Sequence, residues 1–282
     1  MGGDQMKSLL GVLLLAATSL IGYSQASRAT PLTYVPGWRL PIEFLNAAYC
    51  NGHWQNNNFC DGPGEITYYN WTPKKKAFVL KEFRLIAKAQ HIAPLQNMLL
   101  TKKQHVIRLV LVDSSSELGA SAQYHGYVIY LAKDYFTEGP LRFHSTTVGV
   151  HALIHELYHQ YAYARNYDDK SRPFWTSLAK ALNWGFGWDS ASGYPADPPS
   201  PITVKEYYSL FNQYNQLYGL SPEKAFAFDL KWSIAHHFPS IYSMTDIDEY
   251  FAELGSFLCT EPSLQKRLPA KVNAWIAREG LL

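Results

Sequence analysis

The segment VGVHALIHELYHQYAYA, residues 148–164, constrains the fold of this chain more than any other feature of its sequence. It is mostly apolar, yet His151, His155 and His159 recur at intervals of four residues, and Glu156 follows the second histidine. Four residues of an α-helix advance by about 400°, so His155 and His159 lie on one face, roughly 6 Å apart along the axis. The pattern therefore predicts a helix that directs two imidazoles at one point.

Two imidazoles in this arrangement can bind one zinc ion at about 2.0–2.1 Å each. Glu156 would then lie beside the open coordination position, where a carboxylate can take a proton from a water that zinc has acidified. This is the logic of the H-E-x-x-H motif of zinc peptidases. The alternative is a set of structural histidines on a half-buried helix. We expect His151, one turn before His155, to pack or to support a ligand rather than to bind the metal.

A third protein ligand is needed if the fourth position is to hold water. The segment SIYSMTDIDEYFAELGSFL, residues 240–258, offers Glu249 and Glu253, which are four residues apart on one face of a predicted helix. A carboxylate against an apolar helix surface is costly unless it is paired or coordinates a metal. The alternative is a solvated helix face without a ligand role.

HELYH together with the downstream EYFAE resembles the gluzincin branch of zinc metallopeptidases. The closer resemblance is to the group that contains the anthrax lethal factor catalytic domain and the Pro-Pro endopeptidases. This resemblance implies that Glu249 is the third zinc ligand and that Glu253 orients a histidine. It also implies that Tyr242, seven residues before Glu249, stabilises the oxyanion. His236 and His237 precede Tyr242 and could assist it, although a role at a helix end is the simpler expectation.

The chain departs from the pattern of that group at two places. Tyr158 occupies the position before the second histidine, where the group has a small residue, and we expect it to crowd the packing behind the metal. His159 and Glu249 are separated by 90 positions, more than is usual in the group. The resemblance covers residues from about Leu109 to the C-terminus, and it does not transfer a substrate preference.

The pattern of apolar residues and breakers predicts an α+β chain, and the resemblance implies a zincin-like fold: a small mixed sheet, an active-site helix and a helical C-terminal half. We expect one catalytic domain over residues 27–282, with an irregular segment at 27–72 and a Gly/Pro-rich insertion loop at 183–201. The predicted strands are His105–Asp113 and Tyr124–Ala132. A first helix is predicted to begin at Pro73, after an N-cap at Thr72. Five further helices are predicted at Thr146–Ala164, Val204–Tyr218, Pro222–His237, Ile247–Leu258 and Pro262–Glu279, the last interrupted at Pro269.

The N-terminus has the features of a signal peptide over residues 1–26. Lys7 precedes an apolar run from Leu9 to Ile21, and Ser24-Gln25-Ala26 offers small residues for cleavage. The alternative is an anchoring helix, but the run is shorter than the roughly 20 apolar residues that a membrane span needs. We therefore expect export to the periplasm or the extracellular space, and no stable membrane insertion after cleavage.

Three cysteines are compatible with an oxidising compartment. Cys50 and Cys60 bracket a polar loop, so we expect a local disulfide between them that leaves Cys259 over. The two other pairings remain open, as does a weak Cys/His metal knuckle that includes His53.

Lys plus Arg number 25 against 23 for Asp plus Glu, a near-neutral balance without the basic excess typical of nucleic-acid binders. The expected partner is a peptide or protein substrate, which could pair with a sheet edge within residues 121–132 unless that strand is interior. We therefore expect an exported Zn²⁺ endopeptidase. The alternatives are a zinc hydrolase of cell-wall cross-links or amides, and a non-catalytic binding protein on the same fold. The sequence does not reveal the oligomeric state.

Overall fold

The structure is a computed structural model that describes residues 30–46, 68–101, 106–113, 122–125, 128–164, 173–184 and 202–282. Most of these residues belong to one compact unit, Leu32–Leu282. The predicted signal peptide, the Cys50–Cys60 disulfide and residues 185–201 of the insertion loop lie outside the described residues. Within the described part of the chain, no helix combines the length and apolarity that crossing a membrane requires.

A mixed sheet forms the β part of the unit. Its strands are β1 (Ile42–Leu45), β2 (Tyr68–Tyr69), β3 (Ile107–Val112), β4 (Ala122–His125) and β5 (Val128–Ala132). Their order is β1-β3-β5-β4, with β1, β3 and β5 parallel, β4 antiparallel to β5, and β2 antiparallel to the end of β3. The central strands β3 and β5 are almost wholly buried, as expected for parallel strands covered on both faces. The α+β class and the small mixed sheet are therefore confirmed.

Two strand predictions need correction. The segment Tyr124–Ala132 was expected to form one strand, but β4 ends at His125 and pairs antiparallel with β5, which begins at Val128. A glycine, which is a weak strand former, stands in the sequence between the two strands. The segment 27–72 was expected to be irregular, yet it supplies β1 and β2. β1 has only four residues, too few for a sustained period to identify it as a strand in the sequence.

Nine helices are described. They are α1 (Pro73–Ile86), α2 (Ile92–Thr101), α3 (Tyr135–Glu138), α4 (Val148–Ala164), α5 (Pro173–Leu182), α6 (Val204–Leu220), α7 (Pro222–His236), α8 (Ile247–Thr260) and α9 (Ala270–Glu279). A two-stranded ribbon, β6 (Arg142–Phe143) and β7 (Thr146–Thr147), precedes α4. Local chemistry sets several starts: the Thr72 hydroxyl accepts from the Lys75 amide at α1, and Thr203 and Glu206 form a capping box at α6.

Helix α4 lies at the centre of the unit. It contacts β4, α1 and α2, and among the described elements its contact with α8 is the most extensive. Tyr158 on α4 is fully buried and its hydroxyl lies 3.8 Å from the sulfur of Cys259, a buried free thiol. Its ring faces Gly255 on α8, where an added Cβ would lie 2.5 Å from three ring carbons. The missing side chain at Gly255 thus makes the room that Tyr158 was expected to lack.

Candidate metal centre

Three predicted ligands converge at the interface between α4 and α8. His155 and His159 project from consecutive turns of α4, and Glu249 lies in the first turn of α8. The Nε2 atoms of the two histidines are 3.0 Å apart, and Oε2 of Glu249 lies 3.0 Å from one and 3.3 Å from the other. Residues separated by 90 positions are therefore brought to one point by helix packing.

This triangle of donor atoms fits a small metal ion. Atoms bound at about 2.0–2.1 Å to a tetrahedral ion lie roughly 3.3 Å from one another, close to the three separations found here. Without an ion, two protonated Nε2 atoms at 3.0 Å would direct their hydrogens at each other. Two imidazoles and one carboxylate are a donor set that zinc accepts, with one coordination position left open.

The second nitrogen of each histidine has its own carboxylate. The Nδ1–H of His155 donates to Oε1 of Glu253 at 2.9 Å, and Nδ1 of His159 lies 3.4 Å from Oδ2 of Asp248. These contacts fix the ring orientations and leave each Nε2 facing the shared point. Glu253 therefore lies against His155, one turn along α8 from Glu249.

His151 continues this network away from the shared point. Its Nε2 donates to the same Oε1 of Glu253 at 2.9 Å, and its Nδ1 lies 3.0 Å from the hydroxyl of Ser256. It therefore supports the carboxylate that orients His155, in line with the expectation that it is not itself a ligand.

Electrostatics hold the cluster in opposite charge states. Burial opposes ionisation of every member, but the hydrogen bonds to Glu249 and Glu253 outweigh it and raise the pKa of His155 to about 10. The pKa of His159 is likewise raised, against burial, by Glu249 and Asp248. The histidines in turn hold the pKa values of Glu249 and Glu253 below their usual range despite burial. Without a metal, the cluster is a buried network of imidazolium and carboxylate groups.

Glu156 and Tyr242 flank the centre. Glu156 is buried and lines the same cavity as His155, and the Tyr242 ring centroid lies 6.0 Å from that of His155. Although Tyr242 as a whole is 42% exposed, its phenol group is desolvated and its hydroxyl is hydrogen-bonded to Glu249. Burial of that group and the charges of Glu249 and Glu156 raise the pKa of Tyr242 well above its usual value, so the hydroxyl stays protonated at neutral pH.

A cavity of about 210 Å³ adjoins the centre. Its lining includes His155 and Glu156 on α4, Ala122 on the edge strand β4, and Tyr242. Residues from α6 and α7 line it as well, so part of the long insertion between His159 and Glu249 contributes to the site. A molecule in this cavity would contact the proposed ligand His155 and the proposed base Glu156.

His236 and His237 lie at the C-terminal end of α7. The His236 ring stacks on Trp232 and its Nδ1–H donates to the Trp232 carbonyl oxygen at 2.9 Å, while His237 adopts a left-handed conformation with φ 62° at the C-cap. Neither is among the residues that line the cavity. Both therefore serve the helix end, which was the simpler expectation.

Sequence reasoning did not identify three residues of the site. Asp248 pairs with His159. Asp229, which lines the cavity, and His144 form a second pair, with Nε2 of His144 at 3.5 Å from Oδ2 of Asp229. Asp229 also accepts a 2.6 Å hydrogen bond from the Ile241 amide, and so anchors the segment that carries Tyr242. A carboxylate on a largely apolar helix was the available signal for Asp229, but its partners come from distant segments.

Comparison of the chain with protein-family models, with curated proteins and with solved structures gives no match.

Proposed function

We propose that this chain is an exported zinc-dependent endopeptidase with a zincin-like fold of the gluzincin type. The observation that carries the proposal is the convergence of the His155, His159 and Glu249 donor atoms within 3.3 Å of one another. Carboxylates on the outer nitrogens of both histidines support it, because metal-binding histidines characteristically have such partners.

The chemistry that zinc supplies when bound is polarisation of the scissile carbonyl and acidification of a water molecule. Glu156 accepts a proton from the attacking water and delivers it to the leaving amine as the C–N bond breaks. Tyr242, protonated at neutral pH, donates a hydrogen bond to the oxygen on which negative charge develops. Glu253 and Asp248 hold the imidazoles in register.

A peptide substrate is supported by the free edge of the sheet. Among the described strands, β4 pairs only with β5, so its outer backbone groups are available to an extended chain. β4 also contacts α4, and its Ala122 lines the cavity beside His155. An added strand would therefore run past the proposed metal ligands and the proposed base.

Metal analysis of the purified protein tests the ligand assignment. We expect close to one zinc per chain in the wild type, and its loss in Glu249→Ala because one of three protein ligands is removed. Glu253→Ala is the matched control: it should retain zinc with an affinity reduced by about 10–100-fold. Equal zinc content in the wild type and Glu249→Ala would refute the assignment.

Digestion assays test the reaction. We expect cleavage of casein and of a peptide library by the wild type, and none by Glu156→Gln, which should keep its zinc because this side chain is not a ligand. Digestion of purified sacculi but not of casein would favour the cell-wall alternative. Zinc binding without any hydrolysis would favour a binding protein, and full activity of Glu156→Gln would rule out this residue as the base.

A further inference from the structure

The cavity beside the metal centre combines a negative charge with an aromatic wall. Four of its lining residues carry carboxylates, and none of the lining residues that the structure describes is a lysine or an arginine. The acidic residues are Glu138, Glu156, Asp229 and Glu253. Two histidines, His151 and His155, are the basic groups of the lining, and both are hydrogen-bonded to Glu253.

The outer wall comes from the pair of helices α6 and α7, which pack against each other. Tyr214 and Tyr218 on α6 and Phe226 on α7 contribute rings, and Phe143 contributes another from β6. The Tyr218 hydroxyl is hydrogen-bonded to Glu138. The cavity therefore offers aromatic surface to an alkyl chain and carboxylates to its end.

The carboxylates of the cavity also act on its phenol groups. Burial raises the pKa of Tyr214, and the charges of Asp229, Glu253 and Glu138 raise it further. Asp229 is partly compensated by His144 at 3.5 Å, and Glu253 accepts hydrogen bonds from His151 and His155. Glu138 accepts a hydrogen bond from the neutral Tyr218 hydroxyl. A cationic group that entered would be attracted by several carboxylates within a partly desolvated space.

We propose that this cavity binds a lysine or arginine side chain of the substrate next to the scissile bond. The inference rests on the proposed peptidase function, because the cavity shares His155 and Glu156 with the candidate metal centre. The four methylenes of lysine would lie along the tyrosine and phenylalanine rings while its ammonium group meets the carboxylates. An acidic side chain would be repelled, and a neutral chain of the same length would gain only the apolar contact.

Matched peptides test the proposal. Three versions of a cleaved library peptide carry lysine, norleucine or glutamate at one position beside the scissile bond, and each flanking position is scanned in turn. Norleucine has the lysine methylenes without the charge. At one flanking position we expect kcat/KM for lysine to exceed that for norleucine at least about tenfold, with glutamate lowest.

Variants of Glu138 assign the preference to this cavity. Glu138 is half-buried and lies outside the proposed metal ligands and base. In Glu138→Gln the ratio of kcat/KM for the lysine peptide to that for the norleucine peptide should fall about threefold or more, and in Glu138→Lys the glutamate peptide should overtake the lysine peptide. Glu223→Gln, an exposed carboxylate on α7 outside the cavity lining, is the matched control and should leave the ratio unchanged.

A binding assay separates this inference from the peptidase proposal. N-acetyl-lysine methylamide and N-acetyl-norleucine methylamide are titrated into the metal-free protein by ligand-observed NMR, and the lysine amide should bind more tightly in the wild type but not in Glu138→Gln. Cleavage in which norleucine equals or exceeds lysine at every position would overturn the cavity assignment and leave the peptidase intact. Absence of all cleavage with a retained preference for the lysine amide would refute the peptidase and support the cavity.

Discussion

Replacing Gly255 by alanine probes whether the packing of α4 against α8 sets the geometry of the metal centre. The new Cβ would lie 2.5 Å from three carbons of the Tyr158 ring, far inside the ordinary contact distance of about 3.5–4.0 Å. Tyr158 is fully buried and packed between Tyr161 and Phe251, so its ring has no space into which to move. The helices must therefore separate.

The magnitude follows from two opposing effects. Overpacking a well-packed core costs about 1–3 kcal/mol, whereas alanine in place of glycine within a helix gains roughly 0.5–1 kcal/mol. We expect a net loss of about 1–2 kcal/mol in the free energy of unfolding of the metal-free protein. Separation of the helices also moves Glu249 away from His155 and His159, so zinc affinity should fall at least about tenfold, as for ligands displaced from their productive geometry.

Urea unfolding and zinc competition with a chelator measure the two effects. Gly219→Ala is the matched control: Gly219 lies in α6, an added Cβ there meets nothing within 4 Å, and stability should stay the same or rise by up to about 1 kcal/mol. Tyr158→Ala combined with Gly255→Ala should show a coupling energy of about 1 kcal/mol or more, since the smaller residue removes the clash. A Gly255→Ala protein that matches the wild type in stability and in zinc affinity would refute the reasoning.

The remaining predictions concern charge and catalysis. Tyr242→Phe should lower kcat by about 10²–10³-fold with zinc content unchanged, because one hydrogen-bond donor to the oxyanion is lost. Steady-state kinetics and metal analysis measure the two quantities, and an unchanged kcat would contradict this role of Tyr242. Zinc binding should release protons at pH 7, because the hydrogen bonds to Glu249 and Glu253 outweigh burial and raise the pKa of His155 to about 10, and the pKa of His159 is raised as well. Calorimetry in buffers of different ionisation enthalpy counts those protons, and a buffer-independent heat would contradict the assignment. The same raised pKa stabilises the metal-free fold fully below pH 6.5, and this stabilisation should be lost as the pH rises through about 10; urea midpoints that stay constant over that range would contradict it.

Much of the centre could be predicted from the sequence because its spacing is helical. His155 and His159 form one i,i+4 pair and Glu249 and Glu253 form another, and both lie on the helices expected, which begin at Val148 and Ile247. Helical geometry alone places each pair on one face. That the two faces meet was implied only by the resemblance, because nothing local in 90 residues of chain dictates how α4 and α8 pack.

The features of the fold and of the site that the sequence did not predict depend on tertiary contacts. The pairing of Asp229 with His144 joins α7 to the ribbon before α4, and the opening of space for Tyr158 depends on Gly255 on another helix. Likewise, β1 is too short to be identified from its own four residues, and it joins the sheet by pairing with β3. The cavity wall formed by α6 and α7 falls in this class too, since those helices were expected but their position over the centre was not.

The proposed metal ligands and Glu253, the carboxylate that orients His155, lie at a single interface between two helices, α4 and α8. Glu249 and Glu253 lie one turn apart on α8. Glu249 contacts Nε2 of His155 and Glu253 contacts its Nδ1, so one packing register provides a partner for both ring nitrogens of the same imidazole. Two buried residues further along α8, Gly255 and Ser256, fix that register through Tyr158 and His151. A ligand that binds only the folded chain stabilises it by about 4 kcal/mol at a thousandfold excess over its Kd. Because zinc would bridge α4 and α8 at this interface, chelation should lower the unfolding temperature of the wild type but not that of Glu249→Ala, and equal shifts in both would place the metal elsewhere.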